Sequence, residues 1–256
     1  MSELIVKCTN KQLRRLNYIN TLFTNSSKLR KNKMMLPTYH VLTIDHAFAL
    51  QGQWDSPVWR EAPAVQINAF RPESTNHRPR TEVKLLVGPT GLHGFFHVLD
   101  RYVRCVHAGW QEPVYQDSCV EFFVQPKTAG GYFNFEFNCG GAMLVSFITD
   151  PTRVENGFKA FSRMSVEEAA QVQIYHSLPR RIEPEIREET TWLLEFFIPF
   201  ALLARYAGPL GDLAGQVWRA NFYKCGDKTS HPHWASWAPV DELNFHLPRC
   251  FGALLF

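Results

Sequence analysis

The chain has 256 residues, of which 45% are hydrophobic, 20% charged and 14% aromatic, and its net charge is +3. Residues 1–33 hold eight Lys/Arg and one acid, whereas the remainder holds 19 Lys/Arg and 23 Asp/Glu. Because the positive excess lies in this short segment, the charge pattern excludes a general attraction of the body for nucleic acid or an anionic membrane. No apolar run approaches the roughly 20 residues of a membrane-spanning helix, so we expect no membrane span.

The first 35 residues differ in composition from the rest. They are polar, basic and rich in Asn, Ser and Lys, which is typical of a disordered tail. Met34 and Met35 stand just before the first strand-like run, so a start codon assigned too early is the other interpretation. The N-terminus lacks a signal-peptide pattern, and as written the chain is predicted to be cytoplasmic. Residues 36–256 are predicted to form a single domain.

From residue 36 onward the sequence predicts short strands separated by turns. The predicted strands are 39–48, 64–70, 81–87, 92–99, 118–125, 132–139, 142–149, 171–178, 191–198, 217–224 and 252–256. Turns are expected at 88–91, 125–131, 139–141 and 150–151. Short helices are expected at 165–170, after an N-capping Ser, and at 199–206, beginning with Pro. This pattern favours an all-β fold, an antiparallel β-sandwich or jelly roll of immunoglobulin-like type.

Three of these strands have an apolar face and a polar face, because successive side chains of a strand point to opposite sides. The sequence YFNFEFN at 132–138 alternates strictly, and 118–125 and 217–224 behave similarly. If the three strands share a sheet, the polar face gathers Glu121, Asn134, Glu136, Asn138, Arg219, Asn221 and Tyr223. Acids, amides and an arginine beside aromatic rings suit the hydroxyls of a sugar. The simpler interpretation is the solvated face that antiparallel sheets usually have.

The carboxylates on these strands permit an enzyme. Glycoside hydrolysis uses two carboxyl groups about 5–10 Å apart, and Asp117, Glu121 and Glu136 lie on or beside neighbouring strands. No spacing distinguishes a general acid from a nucleophile among them. Acids on a solvated face are common, so the sequence favours a surface role for them.

Metal-binding patterns are weak. His231 and His233 lie in a loop broken by proline, with His246 further on, and no Cys or acid stands at zinc-finger spacing, which favours a surface loop. Aspartates at loop edges are weak candidates for calcium ligands, namely Asp100, Asp117 and Asp150. The six cysteines form no CxxC motif, and either free buried thiols or disulfides are compatible with their positions.

Several short motifs occur in a fixed order along the chain. They are WDSPVW at 54–59, YQDSCVEFFV at 115–124, GYFNFEFN at 131–138, WRANFYK at 218–224, SWAP at 236–239 and NFHLPRCFGAL at 244–254. In this order they resemble the family 9 carbohydrate-binding modules, the DOMON-like β-sandwich domains often attached to bacterial xylanases. The resemblance extends over about residues 36–256 and implies the same β-sandwich fold.

In that family a sugar is held between two aromatic rings and is hydrogen-bonded by polar groups of neighbouring strands. The resemblance places Tyr115 and Phe245 at the two rings, Glu121 at the family's glutamate, Asn221 near its amide and Glu136 where some members have an arginine. Trp237 is a further candidate for the clamp, with Trp110 and Trp234 as its alternatives, although packing explains Trp237 more simply.

The resemblance implies non-catalytic binding of a mono- or oligosaccharide in polysaccharide catabolism, normally outside the cell. It implies no cofactor other than a structural calcium ion. Two alternatives stay open at this point. One is a glycoside hydrolase that uses Glu121 and Glu136, and the other is a protein-interaction β-sandwich whose sugar site has degenerated. The sequence does not specify an oligomeric state.

Overall fold

A computed structural model describes residues 36–126, 130–155 and 157–256. The predicted tail, 1–35, lies outside these residues, and so does part of the turn predicted at 125–131. Residues 36–256 cluster as one compact unit. None of the described helices has the length and apolar composition needed to cross a membrane.

Strands dominate the described chain. They are β1 (Thr38–His40), β2 (Leu42–Thr43), β3 (Val65–Gln66), β4 (Ala69–Phe70), β5 (Arg80–Val87), β6 (Gly91–Asp100), β7 (Val103–Cys105), β8 (Cys119–Gln125), β9 (Tyr132–Asn138), β10 (Met143–Val154), β11 (Gly157–Arg163), β12 (Gln173–His176), β13 (Ile182–Ile186), β14 (Thr190–Pro199), β15 (Val217–Cys225), β16 (Trp234–Ser236) and β17 (Gly252–Leu255). The α-helices are α1 (Pro57–Arg60), α2 (Val166–Ala169) and α3 (Phe200–Ala207), and Val114–Gln116 and Pro248–Cys250 form 3₁₀ turns.

The strands form two main sheets. The large sheet has the order β1-β17-β15-β8-β9-β10-β11, with β16 paired to β15 and β4 paired to β16. The small sheet has the order β12-β14-β6-β5-β2, with β3 on β5, and β13 pairs separately with β7. The pairs are antiparallel apart from β1–β17 and β2–β5. The three two-faced strands predicted from the sequence, β15, β8 and β9, are adjacent in the large sheet.

The two sheets pack against each other through aromatic side chains. The Phe196 ring of β14 lies 5.7 Å from Phe122 of β8 and 5.3 Å from Phe137 of β9, measured between ring centroids. Across the same interface, Phe96 of β6 contacts Phe222 of β15 at 6.2 Å. These side chains are fully buried, and such ring pairs add about 0.5–1.5 kcal/mol beyond the area they bury. The predicted β-sandwich and the apolar faces of its strands are confirmed.

The predicted turn at 150–151 is wrong. Strand β10 continues through Asp150 and Pro151 to Val154, with register shifts against β11 on both sides of Asp150. Such bulges locally interrupt the ladder, and they are places where a strand tolerates proline. Strand β11 was not predicted because it is a half-exposed edge strand without clean alternation.

The helix predicted at 165–170 is confirmed as α2, and its start follows from a capping box. The Ser165 hydroxyl accepts from the Glu168 amide at 3.2 Å, and the Glu168 carboxylate accepts from the Ser165 amide at 2.8 Å. The helix predicted at 199–206 is α3, which Pro199 precedes as the capping residue. The sequence did not predict α1.

Candidate functional site

The polar face of the large sheet is buried. Asn134 and Glu121 are each 2% exposed, and Glu136 is 4% exposed. The chain covers this face with its own later segments. The Phe245 ring stacks on Tyr223 of β15 at 4.0 Å, and the Tyr223 hydroxyl donates to the Phe245 carbonyl at 2.9 Å. The interpretation of this face as an ordinary solvated surface is therefore wrong.

A cavity of about 660 Å³ lies over this face. Its volume is within the range typical of small-molecule sites. The lining residues are Gln111, Tyr115, Glu121, Asn134, Glu136, Leu144, Ser146, Arg153, Gly157, Phe158, Phe161, Arg163, Cys225, Asp227, Trp234, Leu243, Asn244, Phe245 and His246. Both charged and aromatic groups therefore border one cavity.

Four of the six residues predicted for the site line this cavity, namely Tyr115, Glu121, Glu136 and Phe245. The other two do not. The Asn221 side-chain amide is hydrogen-bonded to the backbone of Ala238. Its oxygen accepts from the Ala238 amide at 2.8 Å, and its nitrogen donates to the Ala238 carbonyl at 2.9 Å. Asn221 therefore fixes the loop after β16 and has no free group for a ligand.

Trp237 is a core residue. Its ring lies 5.6 Å from Phe222, on the apolar side of β15, and it covers Gly252, where an added Cβ would come within 2.5 Å of the indole. The position of Trp237 is therefore explained by packing in the core, and its ring does not line the cavity. The exposed Trp110 borders a different, smaller cavity, and Trp234 lines the large one.

Tyr115 owes its place at the mouth of the cavity to a 3₁₀ turn. The turn Val114–Gln116 follows Pro113 and leaves the Tyr115 side chain 36% exposed. The Tyr115 carbonyl accepts from the Asp227 amide at 3.1 Å, which ties the turn to the loop after β15. The indole N–H of Trp234, the first residue of β16, donates to the Asp227 carboxylate of that loop at 2.7 Å. Two aromatic rings are thereby held beside a carboxylate.

The floor of the cavity carries two opposed carboxyl groups, since Glu121 of β8 and Glu136 of β9 are register partners. Burial raises the pKa of Glu136 to about 7, partly offset by a hydrogen bond from Asn134 at 2.9 Å. Burial, Cys225 and Glu136 raise the pKa of Glu121 well above its usual value. One oxygen of Glu136 has no hydrogen-bond partner among the described residues. The pair therefore favours holding a proton near neutral pH and offers an open acceptor to the cavity.

Arg153, Phe158 and Asp227 are lining residues that the sequence interpretation missed. The Arg153 guanidinium lies 4.2 Å from the centre of the Phe158 ring, and its positive charge lowers the pKa of Glu136. Burial raises the pKa of Asp227. Arg153 was missed because a turn was predicted at 150–151, directly after the predicted strand 142–149. The alternation of Phe158 with Phe161 was too irregular to mark a strand.

The three aspartates considered as calcium ligands are bonded to nitrogen donors. Asp117 accepts from Arg104 at 2.7 Å and from backbone amides, and Asp100 accepts from His77 at 2.7 Å and Lys224 at 3.2 Å. Asp150 accepts from a backbone amide and pairs with a lysine. A calcium ion needs several such oxygens turned toward one point, so these aspartates do not fit it.

The structure also shows where the histidines and cysteines considered as metal ligands or disulfides lie. His233, expected in a surface loop, is buried with its Nε2 2.8 Å from the Lys224 ammonium, and Nδ1 of His246 lies 2.9 Å from the Tyr132 hydroxyl. The five cysteines in the described part of the chain are free thiols, and Cys8 lies outside it.

A model for carbohydrate-binding family 9 matches residues 56–256. The structure is similar to a candidate carbohydrate-binding protein from Bacteroides uniformis ATCC 8492, with a TM-score of 0.74 and 27% identity over 86% of this chain and 99% of that chain. A family 9 module from Caldicellulosiruptor kristjanssonii, solved with glucose and with cellotriose, superposes with a TM-score of 0.55 in both cases. These matches have 11% and 13% identity and cover 86% of this chain and 95% and 93% of those chains. No curated protein matches the chain significantly.

Proposed function

Because the chain belongs to carbohydrate-binding family 9, we propose that it is a non-catalytic module that binds a mono- or oligosaccharide in the cavity over the large sheet. One observation carries this proposal. The cavity combines aromatic walls, including Tyr115 and Phe245, with a buried floor where a Glu136 oxygen has no partner among the described residues.

The chemistry of this cavity matches a sugar. A hydroxyl can donate to the free oxygen of Glu136 and accept from the Arg153 guanidinium, while the C–H face of the ring packs on an aromatic side chain. Hydrogen bonds to a charged partner are the stronger ones, so the Arg153 guanidinium, with the open oxygen of Glu136, would set the orientation of the sugar. Tyr115 and Phe245 would supply the apolar contact area.

Glucose and short glucans are the first ligands to test. The Caldicellulosiruptor kristjanssonii module, which shares this fold, was solved with glucose and with cellotriose. At such low sequence identity, the structural similarity supports only a shared fold. The choice of glucose and cellotriose is therefore part of our proposal.

Calorimetric titration with glucose and cellotriose tests the proposal. We expect saturable binding that Tyr115→Ala and Phe245→Ala abolish, because each removes a ring bordering the cavity. Trp110→Ala is the matched control, since Trp110 is 37% exposed against 36% for Tyr115 but borders another cavity. Binding that survives both cavity substitutions would contradict the site, and a silent panel of sugars would contradict the function.

Glycoside hydrolysis is the second candidate, and the raised pKa of Glu136 favours it. A general acid works best when its pKa lies near the operating pH, and burial brings that of Glu136 to about 7. A screen of fluorogenic glycosides would detect turnover, and Glu136→Gln would abolish it. Sugar binding without turnover in the same screen would support the non-catalytic proposal.

A further inference from the structure

Two thiols and a carboxyl group meet beside the cavity, and one thiol and the carboxyl group line it. Cys119 of β8 and Cys225 of β15 are register partners, and Glu121 lies two residues beyond Cys119, so all three side chains are on the same face of the large sheet. All three are buried. Their sulfur and carboxylate oxygen atoms lie within 4.8 Å of one another, and the Cys225 sulfur is 3.1 Å from a Glu121 oxygen.

We propose that Cys119, Glu121 and Cys225 form a binding site for one thiophilic divalent cation of the Zn²⁺ class. Zinc binds thiolate sulfur at about 2.3 Å and carboxylate oxygen at about 2.0–2.2 Å in a tetrahedral arrangement. Those bond lengths place neighbouring ligand atoms roughly 3.6–3.8 Å apart. The three ligand atoms are already held near this spacing, so small side-chain rotations complete the site.

The ligand types select the metal. Thiolates favour zinc and other soft cations, whereas calcium and magnesium prefer sites made of oxygen alone. Three protein ligands leave the fourth tetrahedral position open. Because Glu121 and Cys225 also line the cavity, that position opens toward it and is accessible to water or to a hydroxyl of a bound molecule.

A second buried group of possible ligands, made of His77, Asp100 and His233, shows why geometry alone is insufficient. The Lys224 ammonium lies 3.2 Å from an Asp100 oxygen and 2.8 Å from the His233 Nε2 atom. A fixed positive charge occupies the place where a cation would bind. In contrast, no lysine or arginine among the described residues is bonded to the sulfur atoms of Cys119 and Cys225 or to the Glu121 carboxylate.

Cobalt titration of the reduced full-length protein tests this site directly. Co²⁺ replaces Zn²⁺ in tetrahedral sites, and its thiolate bonds give a charge-transfer absorption in the near ultraviolet. We expect this absorption to saturate at one Co²⁺ per chain and to disappear when Zn²⁺ is added. Absence of thiolate-to-cobalt absorption would overturn the proposal.

Substitutions assign the ligands. Cys225→Ser and Cys119→Ser should weaken Co²⁺ binding by more than about 100-fold, the upper end of the loss seen on removing second-shell partners. Glu121→Gln keeps the shape of the side chain and should weaken binding while retaining the sulfur absorption. Cys250→Ser is the control and should bind normally, because Cys250 lies outside the cluster. An unchanged titration for Cys225→Ser together with Glu121→Gln would overturn the assignment.

The metal site does not rest on sugar binding. The cobalt titration is performed without sugar, and calorimetry with glucose is performed on the metal-free protein and on the zinc-loaded protein. Either proposal can therefore fail while the other holds.

Discussion

Strand β15 separates two buried groups of carboxylates that differ in their partners. On one side of the strand, Lys224 binds Asp100. On the other side, Cys225 and Tyr223 lie on the cavity face, beside Glu121 of β8. Burial by itself would raise the pKa of Asp100, but Lys224 and His77 together bring it well below its usual value. In the cavity, none of the cationic side chains among the described residues is bonded to Glu121, and its pKa rises.

Burial alone does not decide the charge of these carboxyl groups, because the bonded partners differ between the two sites. The Asp100 group is complete, because both carboxylate oxygens are bonded, one to His77 at 2.7 Å and the other to Lys224 and to the indole of Trp192. The cavity group is open, because Glu136 keeps an unused oxygen among the described residues. A complete group supports the fold, and an open one is suited to a ligand.

The largest expected effect comes from breaking the complete group. Lys224→Met should destabilise the protein by about 3–5 kcal/mol, because it leaves the Asp100 carboxylate buried without its counter-ion. Chemical denaturation measures the free energy of unfolding. The control is Lys159→Met, which removes an exposed pairing with Asp150 and should barely move the unfolding midpoint. Equal losses for both variants would show that burial of the pair does not matter.

Glu136→Gln tests the open group and should stabilise the protein at pH 8 by on the order of 1–3 kcal/mol. The folded-state pKa of about 7 lies above the usual 4.5, so the folded protein holds an extra proton between these values. Stability contributed by this group is present below about pH 4.5 and is lost as the pH rises through 7.

The difference in unfolding free energy between wild type and Glu136→Gln should therefore grow from pH 5 to pH 8. The stability of each protein also depends on pH through other groups. Burial lowers the pKa of His93 to about 4 and that of His233 to about 3, which favours the fold at higher pH. Because both proteins contain these histidines, the difference between them isolates the effect of Glu136. Substitution of the exposed Glu183 by Gln is the control and should change the unfolding free energy little, because exposed ion pairs contribute little to stability. A flat difference for Glu136→Gln would mean that its carboxyl ionises normally in the folded protein.

The smallest effect concerns Arg153, whose exposed guanidinium lies on the Phe158 ring and lowers the pKa of Glu136. Arg153→Gln should raise the pKa of Glu136 further and leave the unfolding midpoint nearly unchanged. NMR titration of the labelled Glu136 carboxyl carbon would measure the pKa. Arg181→Gln is the comparison variant and should not shift it, because the exposed Arg181 guanidinium pairs with Glu183. A pKa that stays constant in Arg153→Gln would exclude the guanidinium as its modulator.

Much of the fold was predictable because alternation is a local property of a strand. The pattern of 132–138 assigned Phe137 to the core and Glu136 to the opposite face, and β9 has this arrangement. The capping box of α2 was also visible, because Ser165 and Glu168 are close in the chain. Pro151 misled the prediction, because a bulge that accommodates proline depends on the neighbouring strand β11.

The sequence by itself determined the three two-faced strands, their apolar faces and the family. Only the tertiary structure decided that the polar face is buried, because the covering residues, such as Tyr115 and Phe245, come from distant parts of the chain. It also removed Asn221 and Trp237 from the site, since a side chain's partners depend on which loop passes over it. Periodicity acts within a strand, whereas burial, pairing and charge depend on contacts that no local pattern specifies.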